Sequence, residues 1–492
     1  MPCPPEHVFG ELLLETRGTG ELPDAPVFSD SRRVAPGSIF VAVPGTKIDG
    51  NRFIADALRA GAAAVVHTET LAEYPPDVLF CRVGDARAAL SLLCRHRCGA
   101  PDHSLLVYGV TGTNGKTTSA YLIRHLLEHA GIPCGLVSTV EYFDGRDHLP
   151  PTHTTPDPQT LFPLLEAMLD HGEKAAAMEF SSHALAQKRL HGMTLRGAIF
   201  TNLTGDHLDF HHDMESYYQA KKSLFTDLLI PGGIAAVNID TDDGVRLARE
   251  LAAERPDLKI PTFGRNPDAG WRISETENSV EGCKFVLSNA LQAFQASFPL
   301  PGDYNISNLA GVLTLLLCDG IPPEAVDRAL CDRFSVPGRL EKFTAPSGAT
   351  FFVDYAHTDD ALRNVLRTVK TFCRGRLIAL FGAGGDRDRS KRPRMGAAAA
   401  EFADRIIVTS DNPRSEDPES IMREVAAGIP AGTDAELIVS RREAIARAAA
   451  LAGAEDIVVI AGKGHENYQE ISGIRHHFDD REELTRILND RG

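Results

Sequence analysis

Runs of consecutive apolar residues, each ending in a polar cluster, alternate along this chain with stretches whose apolar positions recur every three to four residues. The first pattern fits strands buried on both faces and the second fits amphipathic helices, which together predict parallel sheets covered by helices. Within residues 1–100 the strand-like runs are Ser38–Val43, Ala63–His67 and Val78–Val83, with helical patterns over Phe53–Ala60 and Asp85–Arg97. Gly99-Ala100-Pro101 marks a boundary. A second block, residues 101–336, opens with the run Leu105–Val110, a glycine loop and a helical stretch over Thr117–Ala130. The runs Ala175–Phe180, Gly197–Leu203 and Ile234–Ile239 follow, and between Trp271 and Leu300 shorter alternating runs predict an antiparallel addition at the sheet edge. The third block, residues 337–492, begins at Pro337-Gly338-Arg339 and carries the runs Phe351–Asp354, Leu377–Phe381, Ile406–Thr409, Glu436–Val439 and Ile457–Ala461. The expected fold class is α/β in three domains: a smaller amino-terminal α/β domain, a central domain with a mainly parallel sheet, and a carboxy-terminal doubly wound domain.

Composition narrows the partners. With 492 residues, 43% hydrophobic and 24% charged, the chain has material for several cores. A formal charge of −16 argues against nucleic acid or an anionic membrane as a general partner. The opening MPCPPEHVFGELLLE lacks the features of a secretory signal, and the longest buried-looking run, Leu309–Cys318, is too short to span a bilayer. Nine cysteines, mostly isolated among apolar residues, read as reduced thiols in a cytoplasm.

The sharpest local signal is Gly109-Val110-Thr111-Gly112-Thr113-Asn114-Gly115-Lys116-Thr117-Thr118, between a predicted strand and a predicted helix. Backbone N–H groups of such a turn, with the helix N-terminus behind them, cradle phosphates. Lys116 is placed to meet the β- and γ-phosphates of ATP and the Thr117 hydroxyl to ligate Mg²⁺. Val110 stands where a strict P-loop has its first glycine. ATP chemistry needs hard oxygen ligands around magnesium, and Glu179 ends a buried run immediately before Ser181, Ser182 and His183. His207, in Thr201-Asn202-Leu203-Thr204-Gly205-Asp206-His207-Leu208-Asp209, is either a satisfied loop histidine or a further ligand. In the third block four runs end directly in polar motifs, DYAHTDD, GAGGDRDRSKRPR, SDNPR and GKGHE, at the strand ends where ligands of doubly wound sheets collect. The basic residues Arg387, Arg389, Lys391, Arg392 and Arg394 read there as part of an anion site rather than as a solvated face.

In order along nearly the whole chain, TGTNGKTT, AMEFSSHALAQKR, FTNLTGDHLDFH, Asn305-x-x-Asn308, PGRLE, VDYAHTDDAL, GGDRDRSKRP, DNPRSEDP and AGKGHE resemble the Mur ligase family, which adds amino acids to the UDP-linked precursor of bacterial peptidoglycan. HTTPD (His153–Asp157) and DNPR (Asp411–Arg414) resemble the member that adds the third residue, in its diaminopimelate-adding form. The resemblance implies an ATP- and Mg²⁺-dependent ligase, a cytoplasmic monomer, acting on a UDP-muramoyl dipeptide and meso-diaminopimelate. The first block is then the UDP-substrate domain, with Ser29, Ser31, Thr46, Lys47 and Ile48 as contacts, the second the ATP domain and the third the amino-acid domain. Thr154, Thr155, Ser181, Gln187 and Arg189 match positions that hold the muramoyl dipeptide, while His153 departs from the asparagine often found there. Gly112 through Thr118, with Asn308, Arg339 and Asp354, match nucleotide contacts; Thr117, Glu179 and His207 match the magnesium sphere. Lys221 matches a lysine that carries a carbamate in the family, supplying an anionic oxygen to a second magnesium; read from sequence alone, Lys222 is an equal choice. Arg387, Asp411, Asn412, Pro413 and Arg414 match diaminopimelate contacts, and Gly462 and Glu466 match the groups that hold its far amino end. Alternatives are the same ligase adding lysine, a folate-polyglutamate ligase, and a P-loop switch that ligates nothing.

Overall fold

A computed structural model describes residues 2–18, 20–45, 48–205 and 208–490. Thr46, Lys47, Asp206 and His207, and the side chain of Asp209, lie outside the described residues. The chain divides into two compact units, residues 1–272 with 309–329, and residues 273–308 with 330–492.

The first unit contains two sheets. The smaller has, in spatial order, the strands Leu13–Arg17, Leu79–Val83, Ala64–His67, Ile39–Val41 and Val27–Phe28, parallel except for the first. The larger runs through Thr262–Gly264, Leu229–Asn238, Leu195–Phe200, Leu106–Thr111, Ala175–Glu179 and Cys134–Val137, all parallel, and then the short antiparallel strands Tyr142–Phe143 and His148–Leu149. The predicted phosphate-loop strand thus lies at the centre of this sheet, with Glu179 ending one neighbour and Phe200 the other.

The two sheets share one continuous apolar core, in which Ile39, Val66 and Val83 join Val107, Phe162 and Phe200. Polar contacts reinforce this junction. The Ser91 hydroxyl lies 3.0 and 2.9 Å from the carbonyl oxygens of Arg189 and His191, and Lys188 pairs with Asp85 at 2.8 Å.

The second unit holds a six-stranded sheet in the order Glu341–Thr344, Thr350–Asp354, Ile457–Ala461, Leu377–Phe381, Arg405–Thr409 and Ala435–Ile438, parallel apart from its first strand. Alternate residues serve opposite faces, as a two-residue repeat requires. Phe352, Ala379, Phe381 and Val408 pack with the helices Asp359–Lys370 and Pro418–Ala426, whereas Phe351, Ile378, Leu380 and Ile407 pack with Arg441–Leu451 and Asp480–Asn489. The last strand in sequence, Ile457–Ala461, sits between the first two long ones, a crossover that opens a crevice at the strand ends. The strands Gly282–Ser288 and Ala293–Phe298 pair antiparallel, as expected for the 271–300 stretch. Weakly apolar elements escaped the sequence pattern, among them Leu13–Arg17, Val27–Phe28 and the hairpin Tyr468–Ile471 with Ile474–His477.

Candidate active site

Backbone geometry explains the glycines of the phosphate loop. Gly112 has φ +150° and a Cβ there would fall 1.9 Å from Thr201 Oγ1; Gly115, at φ +89°, turns the chain into the helix Lys116–His129. Val110 is a buried residue of the central strand, paired in register with Glu179 and Ile199, so the turn itself begins only after Thr111. The following segment pins the loop: the N–H of Thr113 donates to Asn202 O at 2.9 Å and that of Asn114 to Asn202 Oδ1 at 2.9 Å. The Thr201 hydroxyl donates to Asn114 O at 2.6 Å. Lys116 Nζ donates to Gly112 O and Thr113 O at 2.9 and 2.8 Å, which folds its charge back over the loop. Thr117 and Thr118 are buried in the first helical turn.

Glu179 is fully buried at its strand end and takes one hydrogen bond on each carboxylate oxygen, from Thr139 N at 2.8 Å and Thr139 Oγ1 at 3.2 Å. Its carbonyl accepts from Thr155 Oγ1 at 2.8 Å, and Ser181 N donates to that same hydroxyl at 2.9 Å. Thr154 Oγ1 lies 3.1 Å from Thr139 Oγ1. Arg189 reaches Thr155 O at 2.9 Å through Nη1, Gln187 Oε1 at 2.8 Å through Nη2 and Asp157 at 3.2 Å through Nε. Thr154, Thr155, Ser181, Gln187 and Arg189 therefore form one patch around Glu179. His153 is held by its backbone, with its carbonyl and N–H both bonded to Tyr142 Oη.

Of the amino-terminal candidates, Ser29 donates to Gln159 Oε1 at 3.0 Å, on the helix that follows HTTPD, and Gln159 Nε2 donates on to Val27 O at 2.8 Å. Ser31 opens a short 3-10 turn capped by Asp30, and Ile48 is 55% exposed. Thr46, Lys47 and His207 were singled out in the sequence and fall outside the described residues. Thr139 and Gln159 were missed, because neither stands in a motif; Thr139 follows the end of an apolar run, the same signal that marked Glu179.

Lys221 and Lys222 have different surroundings. Lys222 is an ion-pair residue, 2.9 Å from Glu250 and 2.6 Å from Glu254. Lys221 is 1% exposed, with Nζ donating to Gly112 O at 2.7 Å and lying 4.3 Å from the centre of the Tyr217 ring. The Tyr217 hydroxyl in turn meets Thr113 Oγ1 at 3.2 Å. Lys221 thus belongs to the phosphate loop, and Lys222, also buried, to an ion-pair cluster with Glu250 and Glu254.

In the second unit Asn308 Nδ2 donates to Asn305 Oδ1 at 3.3 Å. The Arg339 guanidinium lies over the Tyr355 ring, 4.8 Å from its centre. Asp354 ends its strand in full burial, accepting from Leu340 N at 2.8 Å and Ala356 N at 2.9 Å; burial raises its pKa and Arg339 opposes the rise.

The motifs SDNPR and GKGHE meet beside each other. Asn412 Nδ2 donates to Glu466 Oε2 at 2.9 Å, and its Oδ1 accepts from Lys463 Nζ at 3.2 Å and Glu470 N at 2.9 Å. Gly462 has φ +115°, and a Cβ would stand 2.6 Å from Asp411 Oδ2. Arg414 is held at φ +53° by two backbone bonds to the hairpin, Arg414 N to Glu470 O at 3.0 Å and Ser472 N to Arg414 O at 2.7 Å. Its Nη1 donates to Gly385 O at 2.7 Å, beside Pro413, whose carbonyl leaves room only for glycine at Gly385.

Arg387 is exposed on the adjoining loop. Three of the other basic residues of that run, Arg389, Arg392 and Arg394, are paired with carboxylates instead of forming the expected anion site. Arg392 is 1% exposed and bound to Glu416 and Glu424 at 2.6 and 2.8 Å, Arg389 pairs with Glu424, and Arg394 faces Asp359 at 3.6 Å. Burying Arg392 requires carboxylate partners, and these take the charge out of reach of a ligand.

Comparison with known proteins agrees with this geometry. Family models match three segments: the Mur ligase family catalytic domain over residues 27–97, the Mur ligase middle domain over 110–316 and the Mur ligase glutamate ligase domain over 338–464. UDP-N-acetylmuramoyl-L-alanyl-D-glutamate–2,6-diaminopimelate ligases are similar over almost the full length: that of Geobacter metallireducens is 40% identical across 99% of this chain and 98% of its own, and that of Chlorobaculum tepidum 44% across 93% and 91%. A solved structure of a ligase with the same name is 35% identical, with a TM-score of 0.73, covering 100% of this chain and 99% of that one. Shared sequence on this scale, a phosphate loop in place and the strand-end motifs of the second unit together place the chain in the Mur ligase family.

Proposed function

We propose that this chain is the ATP-dependent ligase that joins meso-2,6-diaminopimelate to the D-glutamate γ-carboxylate of UDP-N-acetylmuramoyl-L-alanyl-D-glutamate, a step of peptidoglycan synthesis, acting as a cytoplasmic monomer. Near-full-length similarity to ligases of that name supports the reaction class and the substrates. The observation that carries the choice of amino acid is Asn412, which links the DNPR turn bearing Arg414 to Glu466. A cation and a carboxylate presented at one site suit the far end of diaminopimelate, which carries a carboxylate and an ammonium; lysine offers only the ammonium. The amino-terminal, central and carboxy-terminal blocks are read as the UDP-substrate, ATP and amino-acid domains.

In this reading the substrate γ-carboxylate attacks the γ-phosphorus of ATP, ADP leaves, and an acyl phosphate forms. The diaminopimelate amine then attacks the acyl carbon, loses a proton, and the tetrahedral intermediate expels phosphate. The loop amides and Lys116 bind and orient the phosphates. The patch Thr154, Thr155, Ser181, Gln187 and Arg189 holds the dipeptide arm, and Asn308, Arg339 and Asp354 hold the rest of the nucleotide.

The donors near the loop fit magnesium. The fully buried Glu179 carboxylate and the hydroxyl of Thr117 in the first helical turn are hard oxygen donors of the kind magnesium takes. Thr117, Glu179 and His207 would hold it, with Lys221 as its carbamate for a second ion. When bound, magnesium offsets the charge between two approaching anions. The test is direct: purified protein, ATP, Mg²⁺ and the UDP-dipeptide, offered diaminopimelate or lysine separately. Ligation of diaminopimelate with strict dependence on the UDP-dipeptide is expected. Phosphate release without any amino acid, or equal use of lysine, would refute the reading.

A further inference from the structure

Behind Glu466 lies a lysine that no sequence argument singled out. Lys463 is fully buried, with Nζ 3.2 Å from Asn412 Oδ1, 3.6 Å from Glu466 Oε2 and 5.6 Å from the centre of the Tyr468 ring. Burying an ammonium is costly unless it is paired, so these acceptors are what keep it there. The neighbouring cation, Arg441, is equally buried but is bound bidentately by Asp480 at 2.7 Å and stands 3.9 Å from Asp411. In this cluster Arg441 is committed to Asp480 and Asp411, which leaves Lys463 as the cation beside Glu466.

The Asn412 amide has only one satisfactory orientation. Both groups beside Oδ1, Lys463 Nζ and Glu470 N–H, are pure donors, and the group beside Nδ2 is a carboxylate. Turning the amide over would set donor against donor twice and oxygen against carboxylate once. Both of these contacts to Glu466, from Asn412 and Lys463, fall on Oε2. Burial and Asp411 push the Glu466 carboxyl toward its neutral form, and Lys463 works against them.

We propose that Lys463 is a positioning residue for the far ammonium group of diaminopimelate: it fixes the Asn412 amide toward Glu466 and keeps Glu466 a carboxylate that can receive that ammonium. The inference rests on the diaminopimelate reading of this site, and it assigns the two halves of specificity to different residues. Lys463 acts through Glu466 on recognition of the ammonium, and Arg414 on recognition of the carboxylate.

Three amino acids separate the halves: diaminopimelate, 2-aminopimelate, which keeps the far carboxylate but lacks the far ammonium, and lysine, which keeps the ammonium but lacks the carboxylate. Kinetics are measured on the full chain with ATP, Mg²⁺ and the UDP-dipeptide. In Lys463→Met the preference for diaminopimelate over 2-aminopimelate, as a ratio of kcat/KM, is expected to fall ~10- to 100-fold, the worth of a charge-assisted hydrogen bond. Its preference for diaminopimelate over lysine stays within ~3-fold of wild type, since both ligands lose the same contact. Lys463→Gln keeps a donor for Asn412 Oδ1 without the charge and is expected to fall between. It decides the matter alone if Lys463→Met does not fold. An unchanged first ratio overturns the proposal, and so does a parallel loss of both ratios, which marks a merely structural lysine. Wild-type protein that fails to ligate diaminopimelate would instead refute the functional reading.

Discussion

The phosphate loop and the cluster behind Glu466 both hold charge, but they are built from different materials. In the loop the polar groups are backbone amides and hydroxyls within Gly112–Thr118, two of them held by Asn202, joined by two lysines, Lys116 and Lys221, that donate to loop carbonyls. Behind Glu466 the groups are side chains drawn from two strand ends and the starts of two helices, and they are satisfied mainly by one another. Backbone donors cost little to present, because the first turn of any helix has N–H groups without an intrahelical acceptor. Buried carboxylates and ammonium groups must be matched in number and geometry, so one change there disturbs several partners. In the proposed function the first design suits any nucleotide phosphate, and the second suits discrimination among amino acids.

The largest expected effect falls on the loop. Lys116→Ala should lower kcat by at least ~100-fold while the fold persists, because the lost charge sits over the loop carbonyls of Gly112 and Thr113 rather than in the core. Turnover within ~10-fold of wild type would sink the assignment. Lys221→Ala should be almost as severe if Lys221 carries a carbamate, and short carboxylates added to the assay should recover part of its activity. Without that rescue, its role reduces to bracing Gly112.

On the amino-acid side, Arg414→Ala should erase most of the preference for diaminopimelate over lysine. An unpaired cation in a closed site costs roughly 2–5 kcal/mol, on the order of 30- to 4,000-fold in discrimination. A mutant that keeps its preference would show that another residue reads the far carboxylate. The carboxylate near this arginine is Glu470, 3.9 Å away, whereas Glu416 is held by Arg392 at 2.6 Å.

A smaller effect follows from pH. Burial, with Asp411 adding to it, raises the pKa of Glu466, so this carboxylate takes up its proton at a higher pH than an exposed glutamate. As pH falls through that raised value the ligand ammonium loses its partner. The KM for diaminopimelate should therefore climb on acidification before the ordinary carboxylate range is reached, by up to ~10-fold per pH unit. In Glu466→Gln that dependence should vanish; its survival would assign the titration elsewhere. The smallest effect is expected of Lys222→Ala, a loss of about 1 kcal/mol of stability from its partly exposed pairs with Glu250 and Glu254, with kcat nearly unchanged. An inactive Lys222→Ala beside an active Lys221→Ala would reverse the two roles.

Sequence alone was enough to place the central strands, the phosphate loop and the strand-end motifs. Long apolar runs, glycine turns and polar residues at run ends reflect interactions within a few residues, or the plain requirement that a covered parallel strand be apolar. It did not separate Lys221 from Lys222, since adjacent helix positions look alike until the rest of the fold supplies Gly112 O for one and Glu250 with Glu254 for the other. Nor did it find Thr139 or Gln159, or assign a role to Lys463 within GKGHE, because Glu179, Ser29 and Asn412 are distant in sequence from them. It also misread Arg392, whose charge is consumed by Glu416 and Glu424 from a different turn and helix. Burial and pairing of charge are properties of the packed chain, and only the tertiary structure decided which ionic groups remain for a ligand.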